Sequence, residues 1–151
     1  MRTYTVSRSR HVDAPPPTVQ AHVADFRAWP AWSPWEDLDP QMRHDYTGPQ
    51  ARPGARHTWK GNRKAGEGSM QIVSIEPGRI TLDLRFVRPF ASHSEVEFTF
   101  VPQGGGTDVT WTMHGQQRGL MALAGRVVSM DKLLGRDLDT GLARLDTVAR
   151  G

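Results

Sequence analysis

The sequence predicts an α+β fold in which a curved antiparallel sheet packs against one long C-terminal helix. Apolar and polar side chains alternate along three successive segments between residues 80 and 113, which is typical of strands with one buried face. From residue 130 the apolar period changes to that of a helix. Short turns such as Glu76-Pro77-Gly78 and Gly104-Gly105-Gly106 separate the strands, so neighbouring strands are expected to run antiparallel.

The N-terminal part is predicted to hold a strand, a short helix and an aromatic turn. Alternation over residues 4–12 predicts the strand. Asp13 and the prolines that follow it mark a helix start, because proline is tolerated in a first helical turn. Residues 29–35 hold a helical turn at most, because Pro34 removes a backbone donor and pushes Ser33 towards extended geometry. Three indoles are therefore presented from this turn.

The middle and the end of the chain supply the expected core. Strands are predicted over residues 42–47 and 56–61, divided by proline and glycine. The dry face of the later strands is expected to hold Ile80, Leu82, Leu84, Phe86, Val96, Phe98, Phe100, Val109, Trp111 and Met113. The helix stripe is Met130, Leu133, Leu134, Leu138, Leu142, Leu145 and Val148. Because a bent sheet exposes more apolar surface than one helix covers, a gap on the order of several hundred Å³ is expected between them.

Composition narrows the class of protein. A chain of 151 residues predicts one domain over residues 1–151. The absence of cysteine excludes disulfides and thiol chemistry, and no apolar window is long enough to cross a bilayer, so we expect a cytoplasmic protein without stable membrane insertion. A net charge of +3 from 19 basic and 16 acidic residues argues against a nucleic-acid partner. The basic residues Arg52, Arg56, Lys60, Arg63 and Lys64 are interpreted as a solvated face.

Several short motifs resemble one group of bacterial proteins. They are WSPWEDLDP from residue 32, YTGP from 46, WKGN from 59, GEGSM from 66, GTDVTW from 106 and MDK from 130. Their order is similar to that of the polyketide cyclase/dehydrase-like branch of the SRPBCC superfamily, which also holds START-type lipid-transfer domains. The resemblance implies a helix-grip fold, with six to seven antiparallel strands around the long C-terminal helix, two short helices after the first strand and a deep hydrophobic cavity.

The aromatic and methionine residues are the candidate ligand contacts, because indoles stack flat unsaturated molecules. The predicted lining is Trp35, Trp59, Phe86, Trp111, Met113, Met130, Leu134 and Leu138. Trp35 and Trp59 each adjoin a loop and are assigned to the cavity mouth. Trp111 is expected to serve both core and cavity, and Trp29 is interpreted as structural.

Asp137 is the one weak catalytic candidate, and the catalytic residues are otherwise unidentified. It lies inside the apolar helix stripe, where a carboxylate needs either a partner or a proton. The alternative is a paired aspartate that fixes the helix against the sheet. Asp131, near the helix start, suits the helix dipole and is interpreted as structural.

The six histidines show no paired ligand spacing, so neither a metal nor another cofactor is expected. His93 and His114 would carry protons only if they turned inward, and alternation places His114 on the wet face. The predicted function is binding of a small hydrophobic or aromatic molecule, such as a lipid, isoprenoid or polyketide-like compound, by a monomer or homodimer. The alternative is a cyclase, dehydratase or aromatase acting in the same cavity. A lower alternative is a protein-interaction domain that docks through its sheet edge or basic hairpin.

Overall fold

The structure is a computed structural model that describes residues 2–88, 91–117 and 130–151. The strands are β1 (Arg2–Val12), β2 (Arg43–Thr47), β3 (Arg56–Lys60), β4 (Glu67–Glu76), β5 (Arg79–Arg88), β6 (Ser92–Gln103) and β7 (Gly106–Gln117). The helices are α1 (Pro16–Ala24), two 3₁₀ helices (Phe26–Ala31 and Pro34–Leu38) and α2 (Met130–Arg150).

Within these described ranges, seven strands form one antiparallel sheet in the order β1-β7-β6-β5-β4-β3-β2. Strands β2 to β7 are a meander in which each strand pairs with the next, while β1 pairs with β7. The first two strands of the chain therefore lie at opposite edges of the sheet, because α1 and the 3₁₀ helices carry the chain between them. The helix-grip arrangement implied by the resemblance is confirmed, including the short helices after the first strand.

Helix α2 packs on the dry face of the sheet. Its stripe residues Leu138, Leu142 and Leu145 are fully buried. Gly141 brings the helix close to the sheet, since a Cβ added there would lie 2.8 Å from the Trp111 ring. At the other end of this contact, the Arg8 guanidinium of β1 donates to both carboxylate oxygens of Asp131 at 3.0 Å. The predicted structural role of Asp131 thus has a specific partner.

No strand was predicted over residues 67–76, where the structure has β4. Met70 and Ile72 are buried on the dry face, but the register with β5 shifts between Ile72 and Ser74. A bulge of this kind adds a residue to one strand and breaks the alternation of period two. As a result Ile75 lies opposite Ile80 and packs against the core, while Val73 is 52% exposed although it is apolar.

Residues 26–38 form two 3₁₀ helices joined at Trp32 and Ser33. The Ser33 backbone is extended, as proline at the next position requires. The Ser33 hydroxyl accepts a hydrogen bond from the backbone N–H of Trp35. The prediction of short helical turns that present the indoles is confirmed. No helix in the described part of the chain is long and apolar enough to cross a membrane.

Candidate functional site

A cluster of aromatic rings fills the centre of the interface between sheet and helices. Trp29, Trp32 and Trp111 are almost completely buried, with Phe98 stacked on Trp111 at 4.8 Å between ring centroids. The Trp29 indole N–H donates to the Val23 carbonyl at 2.8 Å. Burial and a satisfied N–H support the structural interpretation of Trp29. The buried N–H of Trp111 has no acceptor among the described residues.

The predicted ligand contacts divide into two groups by burial. Trp111, Met113 and Leu138 are fully buried. The half-buried side chains, which pack against the core without being enclosed by it, are Trp35, Trp59, Phe86 and Leu134. The side chain of Met130 lies outside the described residues. Apolar side chains that face inward and still reach solvent are the natural contacts for a ligand.

Trp59 and Phe86 form one corner of this region. Their rings meet edge to face with 5.3 Å between ring centroids, and the indole N–H of Trp59 donates to the Ala65 carbonyl at 3.0 Å. Trp59 pairs across the sheet with Gly68, where an added Cβ would lie 2.6 Å from the indole. Glycine at this position therefore gives the indole room to lie across β4.

Trp35 and Asp137 form the corner next to α2. The indole N–H of Trp35 donates to the Asp137 carboxylate at 3.2 Å. The same indole ring meets the Trp111 ring edge to face, with 5.4 Å between ring centroids. Asp137 is half-buried. The partner expected for this carboxylate is thus the indole N–H of Trp35. This hydrogen bond joins two residues of the predicted site.

A chain of three polar side chains, which the sequence did not predict, lies beside this region. The Glu36 carboxylate is 2.5 Å from Nε2 of His44, and Nδ1 of His44 is 2.7 Å from Nε2 of His57. His57 is 7% exposed, and its Nδ1 has no hydrogen-bond partner among the described residues. Tyr46 stacks on His57 at 5.0 Å between ring centroids.

The electrostatics of His57 follow from this placement. Burial, followed by the neighbouring charge of His44, lowers the pKa of His57 to about 4, while the Asp45 carboxylate acts in the opposite direction. His57 is therefore neutral at physiological pH. Nδ1 of His44 and Nε2 of His57 are at hydrogen-bond distance, so a proton lies between them. No group of three potential metal ligands occurs in residues 2–88, 91–117 and 130–151.

The other histidines singled out in the sequence do not face inward. His114 is exposed and bonds to the Thr5 hydroxyl at 2.7 Å, as alternation predicts for the wet face. His93 is exposed beside Asp83. The basic residues Arg52, Arg56, Lys60, Arg63 and Lys64 are all exposed, in agreement with a solvated face.

A curved antiparallel sheet that grips a C-terminal helix, with aromatic side chains on the gripping face, defines the helix-grip class of ligand-binding and catalytic domains. The sequence matches the model of the family described as polyketide cyclase/dehydrase and lipid transport over residues 3–150, and the chain belongs to that family. No curated protein matches the sequence.

Solved structures share the fold at low sequence identity. A protein of Chromobacterium violaceum is 16% identical, with 97% of both chains covered and a TM-score of 0.70. The Mll3558 protein of Rhizobium loti is 23% identical, with 91% of this chain and 95% of that chain covered and a TM-score of 0.64. DynU16, from the dynemicin biosynthetic locus, is 18% identical with a TM-score of 0.65, and the match covers 95% of this chain and 46% of that one.

Proposed function

We propose that the protein binds a small apolar or aromatic molecule, of the lipid, isoprenoid or polyketide-like kind, between the sheet and α2. The observation that carries this proposal is the half-buried set of Trp35, Trp59, Phe86 and Leu134 on the gripping face. A solid core would enclose these side chains, as it encloses Trp111. Family membership supports the same function.

Desolvation supplies most of the affinity in this proposal. Each Å² of apolar surface removed from water is worth about 25 cal/mol, offset by the loss of ligand freedom on binding. Trp59 and Phe86 are already held edge to face, so little side-chain entropy is lost when a flat ligand lies against them. The fully buried Trp111, Met113 and Leu138 form the wall behind these contacts. The lack of cysteine is compatible with a role in the reducing cytoplasm.

Adjacent residues of β5 provide a matched test. Phe86 is half-buried on the gripping face, whereas Val87 is 59% exposed. Binding of 1-anilinonaphthalene-8-sulfonate, followed by its fluorescence and by competition with fatty acids and polycyclic aromatics, is measured for Phe86→Ser and Val87→Ser. We expect Phe86→Ser to weaken binding at least about tenfold, which corresponds to about 1.4 kcal/mol, and Val87→Ser to leave it unchanged. Absence of binding in the unsubstituted protein, together with native mass spectra free of co-purified ligand, would overturn the proposal.

The second candidate is a cyclase, dehydratase or aromatase that acts in the same space. It is favoured by the hydrogen bond between Trp35 and Asp137, which holds a carboxylate beside the aromatic face. Such an enzyme works partly by holding a productive conformer, with one group that moves a proton. The expected signature is that Asp137→Asn abolishes turnover of a poly-β-keto substrate and keeps ligand binding, while Asp139→Asn on the exposed side changes neither.

A further inference from the structure

We propose that Glu36, His44 and His57 form a proton relay that ends at Nδ1 of His57, and that this nitrogen receives the hydroxyl of a phenolic or enolic ligand. The inference rests on the proposed ligand-binding function and adds to it the chemical class of the ligand. It is carried by the two hydrogen bonds of the chain, at 2.5 and 2.7 Å, and by the buried nitrogen at its end, which has no partner among the described residues.

The hydrogen-bond geometry determines where the protons lie. An ionised Glu36 only accepts, so Nε2 of His44 must carry a proton and donate to it. A neutral His44 then has a bare Nδ1, which accepts the proton on Nε2 of His57. Nδ1 of His57 is consequently unprotonated. A buried lone pair without a donor costs free energy, and a ligand hydroxyl removes that cost.

The chain also lets this nitrogen take up a proton without charging the buried ring. When a ligand O–H transfers its proton to Nδ1 of His57, the proton on Nε2 passes to Nδ1 of His44. His44 becomes an imidazolium that donates to Glu36 from its other nitrogen, and the ligand oxygen becomes an anion. The positive charge then lies on a side chain that is 20% exposed and is neutralised by a carboxylate. Glu36 and His44 are thus positioning residues for His57.

The surroundings suit this arrangement. The buried His57 ring lies between Tyr46, stacked on it at 5.0 Å, and the rings of Phe26 and Trp59, each 5.9 Å away. Besides Glu36, the charged and titratable groups near the relay are Tyr46, Asp45, Asp25 and Arg27. The Arg27 guanidinium lies 4.5 Å from the centroid of the Tyr46 ring. Trp59 belongs to the half-buried set proposed as ligand contacts, so the His57 ring lies next to that set.

Nuclear magnetic resonance of the imidazole nitrogens tests the relay without any ligand. In the unsubstituted protein near pH 7.5 we expect His57 in the Nε2–H form with a bare Nδ1. On acidification, His44 should become the imidazolium while His57 changes to the Nδ1–H form and stays neutral. A His57 that carries its proton on Nδ1 at pH 7.5, or that becomes the imidazolium before His44, would overturn the relay.

The ligand class is tested with 1-naphthol and 1-methoxynaphthalene, which have the same ring system and differ in the hydroxyl. We expect 1-naphthol to bind at least about tenfold more tightly to the unsubstituted protein, because its hydroxyl donates to Nδ1 of His57. His57→Phe, or His57→Gln if the first variant does not fold, should abolish the preference and retain 1-methoxynaphthalene. Glu36→Gln should reduce the preference for 1-naphthol, because the carboxylate no longer fixes the tautomers of His44 and His57. His114→Gln should match the unsubstituted protein.

The outcomes separate the two proposals. Equal affinity for both naphthalenes overturns the assignment of a hydroxylated ligand and leaves the ligand-binding function intact. If neither compound binds, the assignment of a phenolic or enolic ligand fails, the binding function is decided by 1-anilinonaphthalene-8-sulfonate and native mass spectrometry, and the nitrogen spectra still decide the relay. A preference for 1-naphthol that survives His57→Phe also contradicts the inference.

Discussion

Asp146 of α2 is a buried carboxylate that contributes to the stability of the fold. Its carboxylate accepts from the Asp13 backbone N–H at 3.2 Å and lies 3.4 Å from Nε of Arg10. The Arg150 guanidinium is 3.2 Å away, and the Asp146 side chain is only 11% exposed. The Asp146 carboxylate therefore joins α2 to β1 and to the segment between β1 and α1.

Substitution of Asp146 tests this role. Asp146→Asn keeps the shape and removes the charge, so we expect the free energy of unfolding to fall by about 1–3 kcal/mol, the usual range for hydrogen bonds to a charged group. Asp139→Asn is the control on the same helix, because that carboxylate pairs with Arg8 at 3.4 Å but is 60% exposed. Urea unfolding measures both variants. Equal losses would show that Asp146 is no more than another surface ion pair.

His57 makes stability depend on pH at the same scale. Folding lowers its pKa to about 4 from an ordinary 6.5, so between these values the unfolded chain binds a proton that the folded chain does not. The folded state therefore loses stability relative to the unfolded state as pH falls below 6.5, by at most about 3 kcal/mol once pH is below 4. His57→Phe should flatten this part of the profile. Unfolding at pH 7 and pH 4.5 measures the slope, with His114→Gln as control; an unchanged slope in His57→Phe would refute the assignment.

At the scale of elements, the close approach of α2 to the sheet depends on its glycines. An added Cβ at Gly141 would lie 2.8 Å from the Trp111 ring and 3.0 Å from Pro34. An added Cβ at Gly135 would meet the end of the Arg8 side chain, which is held by ion pairs with the exposed carboxylates of Asp131 and Asp139. The two positions have the same helical propensity and different neighbours.

Alanine at each glycine separates propensity from packing. Gly141→Ala gains about 1 kcal/mol in helix propensity and loses about 1–3 kcal/mol through overpacking, so we expect net destabilisation. Gly135→Ala should be nearly neutral, since the gain in helix propensity is offset by displacing Arg8 from its surface ion pairs with Asp131 and Asp139. Thermal unfolding by circular dichroism measures both. A stabilised Gly141→Ala variant would mean that α2 has space above Trp111.

Elements are also the level at which the sequence was most informative. Alternation identified β5, β6 and β7, and the helical period identified α2, because each element has one dry face. Alternation did not identify β4, in which the bulge between Ile72 and Ser74 interrupts the period of two. The contact between His44 and His57 was missed for a related reason. Tyr46, not His44, is directly opposite His57 in the pairing of β2 with β3, and this register cannot be inferred from two separate segments.

For the whole molecule, the order of the strands determines which parts open together. β1 and β7 pair over the full length of β1, and β6 pairs with β7 over residues 94–103. β2 is a five-residue edge strand that pairs only with β3, and it carries His44 of the relay. Short edge strands with few buried contacts have the lowest free energies of opening. We therefore expect the edge of the sheet that carries the relay to open more easily than the edge formed by β1.

Native-state hydrogen exchange at low urea concentrations tests this distribution. We expect the hydrogen-bonded amides of β6 and β7 to exchange only through global unfolding, with a free energy of opening that falls steeply with urea. The amides of β2 should exchange through a smaller opening with a weak urea dependence. Bound 1-naphthol should slow exchange in β2 and β3 more than 1-methoxynaphthalene does, because only the hydroxylated compound is held by His57. Equal free energies of opening in β2 and β7 would mean that the sheet unfolds as one unit, and a ligand that protects β1 and β7 alone would place the binding site at the opposite edge of the sheet.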